Sequence, residues 1–176
     1  RDRPVQSGRG FLLRACGFWG LHVGPNPTDR AKNGVKRHTI TDARGLPVLV
    51  EITPANIRDD VPVVNMVRSM PAIKGRPGRP TFRPGRLYGD RAYGFPYLLA
   101  AMTRLGIEPK LARRGSEHGS GLGKIRYVVE RTFAWFDNWR RLRMCYEKSA
   151  AHFLAFNQLA ACLICARRLA TVRARL

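Results

Sequence analysis

Residues 36–53 constrain the fold more than any other stretch of this chain. Two arms rich in β-branched residues, KRHTITD and LPVLVEIT, flank Ala43-Arg44-Gly45, the pattern of a β-hairpin. Helical and strand patterns then alternate. After a turn through Pro54-Ala55-Asn56, residues 59–70 put Val63, Met66, Val67 and Met70 at helical spacing, with Asp59 and Asp60 where carboxylates favour a helix start. A short strand is expected at residues 86–89. A helix from about residue 95 to 105, stopped by Gly106, leads to a second short strand over 107–112. From residue 124 to about 141, Val129, Thr132, Phe133 and Phe136 form one stripe of a long helix. Residues 140–147 fit no single pattern, and 150–169 read as a final amphipathic helix. A hairpin followed by this alternation implies a mixed α/β sheet flanked by helices.

The rest of the chain is less patterned. Residues 1–35 are rich in Gly, Pro and Arg, and residues 74–86 form an Arg-Gly-Pro linker. The expected division is an irregular segment over 1–23, one domain over 24–170 and a basic tail over 171–176. A length of 176 residues suits a single domain, and 44% hydrophobic residues are enough for a core. The 32 Lys and Arg against 12 Asp and Glu leave a formal charge of +20, which calls for a polyanionic partner such as nucleic acid. Arg outnumbers Lys by 26 to 6, and the guanidinium fork suits phosphate oxygens. A coding bias toward Arg accounts for that ratio but not for the shortage of acids. No run approaches the ~20 apolar residues of a membrane span, since Asn157 and Gln158 interrupt residues 153–166. Residues 1–10 lack the apolar core of a signal peptide. Cys162 and Cys165 form a lone C-x-x-C, with His152 ten residues away and no further ligands at zinc-site spacing. Buried, reduced thiols in a reducing cytoplasm are the expectation.

With so few acids, each one is a candidate. Asp90 ends a strand and precedes a helix, where open α/β sheets bind ligands; the alternative is a carboxylate that starts the next helix. Glu130 lies among Val128, Val129 and Phe133 with Arg126 one turn earlier, and its alternative is a structural ion pair. Two carboxylates on a basic surface are ingredients of a divalent-metal site. A pair of ions about 4 Å apart serves phosphodiester displacement, but it wants a third carboxylate, and pattern does not choose among Asp42, Asp59 and Asp60. Asp42 reads better as a turn residue. Lys32, Lys36, Arg37, Arg91, Arg113, Arg114, Lys124, Arg126 and Arg131 bracket the acids as candidate phosphate contacts, which position DNA without reading bases. Arg140, Arg141 and Arg143 read as ordinary solvated charges. The loop His118-Gly-Ser-Gly-Leu-Gly offers backbone N–H groups to a phosphate. Trp135 and Trp139, one turn apart, fit the core better than a flipped base.

The segments GPNPTDRAKNGVKRHTITDARGLPV, ANIRDD, LYGDRAYG, GIEPKLARRG, HGSGLGKIRYVVERTFAWF and WRRLRMCYEK, in that order, closely resemble bacterial insertion-sequence transposases of the DDE type. The resemblance covers residues 24–169. It implies an RNase H-like fold and Mg²⁺- or Mn²⁺-dependent cutting and rejoining of double-stranded DNA, at element ends and target. It further implies a homodimer on DNA and a cytoplasmic, nucleoid-associated protein. It matches Asp90 to the family's second catalytic Asp, Glu130 to its catalytic Glu, and Arg126 to the basic residue of Arg-x-x-x-Glu. The family's first Asp lies upstream of GPNPTDR, in a segment like Asp-Ser-x-x-Val-Arg-Ala. Leu13-Arg14-Ala15 matches the end of that segment and puts Arg9 where the acid belongs. Asp2 is the only acid before Asp29, and its spacing does not fit. The first strand is therefore expected to be missing or degenerate, in a truncated or frame-disrupted copy. A non-catalytic DNA-binding remnant and an Arg-rich RNA-binding protein are the competing classes.

Overall fold

The computed structural model describes residues 5–8, 14–15, 23–27, 30–73, 80–111 and 123–174; for 5–8, 14–15, 91 and 123–126 it describes the backbone alone. The hairpin forms as its sequence requires. Strand β4 (Asn33–Asp42) pairs antiparallel with β5 (Pro47–Pro54), from Val35↔Pro54 to Thr41↔Pro47. Asp42 closes the turn by accepting the N–H groups of Arg44 and Leu46, each at 2.8 Å. Gly45 sits at φ +79°, a conformation that a side chain disfavours. Asp42 is thus the turn residue its position suggests.

On its other edge β4 pairs antiparallel with β1 (Val5–Gly8), from Val5↔Asp42 to Gly8↔Thr39. The fragments β2 (Arg14–Ala15) and β3 (Gly24–Pro25) pair with the start of β4. Strand β6 (Arg86–Gly89) runs parallel to β1, and β7 (Glu108–Leu111) runs parallel to β6. The main sheet therefore reads β5-β4-β1-β6-β7, antiparallel on one side of β1 and parallel on the other. Its centre is the segment expected to be irregular. Val-Gln-Ser-Gly has no hydrophobic period to announce a strand, yet its backbone pairs on both sides.

Each face of the sheet is covered. Against one pack α1 (Val63–Arg68) and α2 (Pro96–Arg104), in a core of Ile40, Leu87, Val63, Met66, Val67, Leu98 and Met102. Against the other lie α3 (Gly123–Asp137), α4 (Arg140–Arg143) and α5 (Ala150–Arg173). Val35, Val50 and Ile52 meet Phe136, Leu142, Phe153, Ala160 and Ile164 there. Val35 and Ile40 are an odd number of residues apart on β4, which sends them to opposite faces. The α3 stripe is buried as its period predicts, with Thr132 and Phe136 fully inside.

Some boundaries differ from expectation. Helix α1 begins only after Pro62, so Asp59 and Asp60 precede it and are not its first turn. The long helix breaks at Asn138 and Trp139, which sets α4 apart. Helix α5 is, by length and composition alone, long and apolar enough to cross a membrane; here Phe153, Asn157, Ala160 and Ile164 are buried and the helix packs on β5. The expectation of reduced thiols at Cys162 and Cys165 holds, and only their burial is corrected. Cys145 is disulfide-bonded; Cys162 and Cys165 are free, Cys162 exposed and Cys165 half-buried.

Candidate active site and its basic surroundings

The chain reaches Asp90 along β6. Leu87 anchors that strand in the core. Gly89 lets it pass close to its neighbours, since a Cβ there would lie 2.8 Å from the Leu111 side chain. At the carboxyl end of β6, Asp90 Oδ1 accepts the Ala92 N–H at 2.8 Å and its carbonyl accepts the Tyr93 N–H at 3.1 Å. These bonds shape a single 3₁₀ turn, Arg91–Tyr93, ahead of α2. Asp90 is thus both the strand-end acid and the carboxylate that starts the following turn.

Glu130 is exposed on α3, and the hairpin turn fixes that helix. Thr132 Oγ1 donates to the Gly45 carbonyl at 2.6 Å, and Arg131 Nη2 to the Arg44 carbonyl at 2.7 Å. The helix packs beside β1, whose parallel neighbour β6 leads directly into Asp90. Both acids are therefore carried by elements that contact β1. Continuing the β1–β6 register from Gln6↔Tyr88 by two residues brings Gly8 level with Asp90. Strand β1 itself, Val-Gln-Ser-Gly, has no carboxylate.

The other acids are committed elsewhere. Asp59 is ion-paired with Lys36 at 3.3 Å. Asp60, almost fully buried, accepts two hydrogen bonds from Arg58, at 3.0 and 2.6 Å, and one from the Tyr97 hydroxyl. Burial alone would raise the Asp60 pKa, but those donors outweigh it and hold the carboxyl below its usual value. Burial, and then the same Asp60 contact, push the Tyr97 phenol up to about 12. Among the described residues, no group of three or more His, Cys, Asp or Glu side chains could hold a metal.

The basic residues divide. Lys36 and Arg37, expected to face phosphate, lie inside at 7% and 4% exposure. Lys36 Nζ donates to the Ile57 carbonyl at 2.7 Å and meets Asp59. Arg37 donates to the Leu142 carbonyl at 3.0 Å, lies 3.8 Å from Asp137 and covers the Phe136 ring. The reason is topological: β4 is an inner strand with both faces covered, so its charges find partners within the fold. His38, in the same run, bonds Thr53 at 2.7 Å. Its burial and, secondly, the Lys36 charge depress its pKa to about 4. Lys32 is exposed and Arg131 half-buried. Arg140, Arg141 and Arg143 are exposed, and Arg141 pairs with Glu147 at 3.0 Å. The side chains of Arg91, Lys124 and Arg126 lie outside the described residues, as do Arg9, Arg113, Arg114, the loop from His118 and residues 74–79 of the linker.

Trp135 and Trp139 are half-buried against the α3–α5 core, closer to the packing reading than to a free stacking surface. Two cations that sequence reasoning did not single out, Arg167 and Arg168, lie over these rings. No spacing rule flags them, because Arg in the last turns of a helix is commonplace.

The sequence pattern of the Transposase DDE domain family matches residues 14–165. The chain is 44% identical, over 164 residues, to the transposase of insertion sequence element IS402 from Burkholderia cepacia. That alignment spans 93% of this chain and 78% of the relative. No solved structure matches the chain.

Proposed function

The chain belongs to the transposase DDE domain family, and from that premise we propose that it holds double-stranded DNA beside an incomplete strand-cutting centre built on Asp90 and Glu130. DNA transposition is the process the family serves. The sheet order β5-β4-β1-β6-β7, with helices on both faces, supports an RNase H-like reading. An acid just past the central parallel pair supports it further. The excess of cations over acids supports DNA as the polyanion.

A divalent ion such as Mg²⁺ or Mn²⁺ would supply Lewis acidity at a phosphodiester. The donor set does not fit a pair of such ions. Asp90 spends one carboxylate oxygen on a backbone N–H, and Asp42, Asp59 and Asp60 are engaged in a turn, an ion pair and a buried cluster. The observation that carries the proposal is the β1–β6 register. Extended two residues beyond Gln6↔Tyr88, it aligns Gly8 with Asp90, in a stretch of sequence with no acid between Asp2 and Asp29.

The test is a nicking assay on duplex DNA bearing the element's terminal repeats, with Mg²⁺ or Mn²⁺, alongside a binding assay. The expected result is salt-sensitive binding without nicking, and a gain of nicking when an acid is introduced by Gly8→Asp or Arg9→Asp. Robust nicking by the unaltered chain, abolished by Asp90→Asn or Glu130→Gln, would show a complete centre and overturn the proposal.

A further inference from the structure

The last turns of α3 and the far end of α5 enclose a groove that the proposed centre does not use. Trp135, Asn138, Trp139, Ile164, Arg167 and Arg168 line it, and its volume is about 150 Å³. That is below the ~300–1,000 Å³ of a cofactor or drug-sized site. A phosphodiester group is of the right scale.

The charges and rings are arranged for such an anion. The Arg168 guanidinium lies 4.3 Å from the Trp135 ring centroid and that of Arg131 5.1 Å from the same ring. The Arg167 guanidinium lies 5.6 Å from the Trp139 ring. Among the described residues neither Arg167 nor Arg168 has a carboxylate partner, whereas Lys36, Arg37, Arg58, Arg86 and Arg141 all do. An aromatic face restrains a guanidinium without satisfying its N–H donors. The two arginines are therefore held in place with their hydrogen-bonding capacity left for an acceptor. With guanidinium groups over the indole rings, a stacked base would have to displace them. This favours phosphate over base.

The groove is also distinct from the acids. Trp135 is five residues beyond Glu130 on α3, which is ~7.5 Å along the axis and about 140° around it.

We infer that this groove is a second DNA-contact site, in which Arg167 and Arg168, held by Trp139 and Trp135, grip the backbone of duplex DNA away from Asp90 and Glu130. The inference rests on the DNA-binding reading above and names a surface that reading leaves unassigned. It is tested by titrating a labelled duplex of unrelated sequence at several salt concentrations between 50 and 200 mM KCl. The proteins are the unaltered chain, Arg167→Gln/Arg168→Gln and Arg167→Lys/Arg168→Lys, with thermal unfolding as the check on folding. Loss of two phosphate contacts lowers the salt slope by roughly 1.8. It also raises Kd at 100 mM salt by ~10–100-fold. The Lys pair, which keeps the charges, retains most of the slope. Trp135→Leu, which frees Arg168 but keeps its charge, weakens binding a few-fold with the slope intact.

A Gln pair that folds normally and keeps the full salt slope overturns the inference while leaving DNA binding standing; the arginines would then be a staple between α3 and α5. Tighter binding of single-stranded DNA that Trp135→Leu abolishes overturns it in favour of base stacking. A parent chain with no salt-dependent duplex binding removes the underlying reading, and this one with it.

Discussion

His38 offers a direct check on the finding that the basic run of β4 faces inward. The folded protein depresses its pKa from 6.5 to about 4, through burial first and the nearby Lys36 charge second. As pH falls below 6.5 the unfolded chain takes up a proton at this site that the folded chain refuses until about pH 4. The unfolded state binds more protons across that window, so stability falls as pH falls. At ~1.4 kcal/mol per pH unit the gap between 6.5 and about 4 comes to about 3 kcal/mol. That is a large share of the roughly 5–15 kcal/mol that holds a typical domain. Asp60, whose pKa is held below its ordinary 3.8, loses its contribution in the same direction but at lower pH, so the two separate. The assay is urea unfolding at half-unit steps from pH 7 to pH 4. His38→Gln, which can still reach Thr53 but does not titrate, should flatten the dependence between pH 6.5 and 4. An equally steep fall in the variant would mean that His38 is not the titrating group, and the inward reading of the run would lose its support.

Arg37→Met should cost about 1–3 kcal/mol, because the Leu142 carbonyl loses a buried charge-assisted donor, yet leave the salt slope of DNA binding unchanged; a lower slope would put the guanidinium on DNA. Thr132→Val removes the donor to the Gly45 carbonyl and should cost about 1–3 kcal/mol in chemical denaturation. Gly45→Ala should unfold earlier still, since the new Cβ meets φ +79° and lies 3.1 Å from the Val128 carbonyl oxygen. Asp60→Asn should bring the Tyr97 phenol down from about 12 toward its usual 10, read as phenolate absorbance in an alkaline titration. An unmoved titration would show burial alone to be responsible.

The parts of the fold legible in the sequence are those written in side-chain period. The hairpin, the Val63–Met70 stripe and the Val129–Phe136 stripe emerge where expected because alternate or helical spacing of apolar residues is what those elements bury. Asp90 is legible for a related reason: a short apolar strand, a polar residue and a helix mark a sheet's ligand-facing edge. Strand β1 is not legible, since Val-Gln-Ser-Gly joins the sheet through backbone pairing and carries no period of its own. Lys36 and Arg37 read as surface charge because a strand's sequence does not say how many of its faces are covered. Only the tertiary arrangement, with β1 and β5 on either side of β4 and helices above and below, makes them internal. The pairing of Arg167 and Arg168 with two tryptophans on another helix is tertiary in the same sense.

Those limits bear on how a chain proposed to lack its first catalytic acid would keep its shape. Strand β1 is held by ladders to β4 and β6, and backbone hydrogen bonds do not depend on which side chain occupies a position. Helix α3 is held by the hairpin turn through Thr132 and Arg131, and by its buried stripe, none of which involves an acid. The elements that carry Asp90 and Glu130 are thus positioned by contacts unrelated to strand-cutting chemistry. A carboxylate in β1 would serve catalysis alone, and burying it without a cation would cost stability. On the proposed reading, absence of that acid would remove cutting while leaving the sheet, its helices and the outward arginines intact. This is why DNA binding and DNA cleavage are expected to separate in this protein.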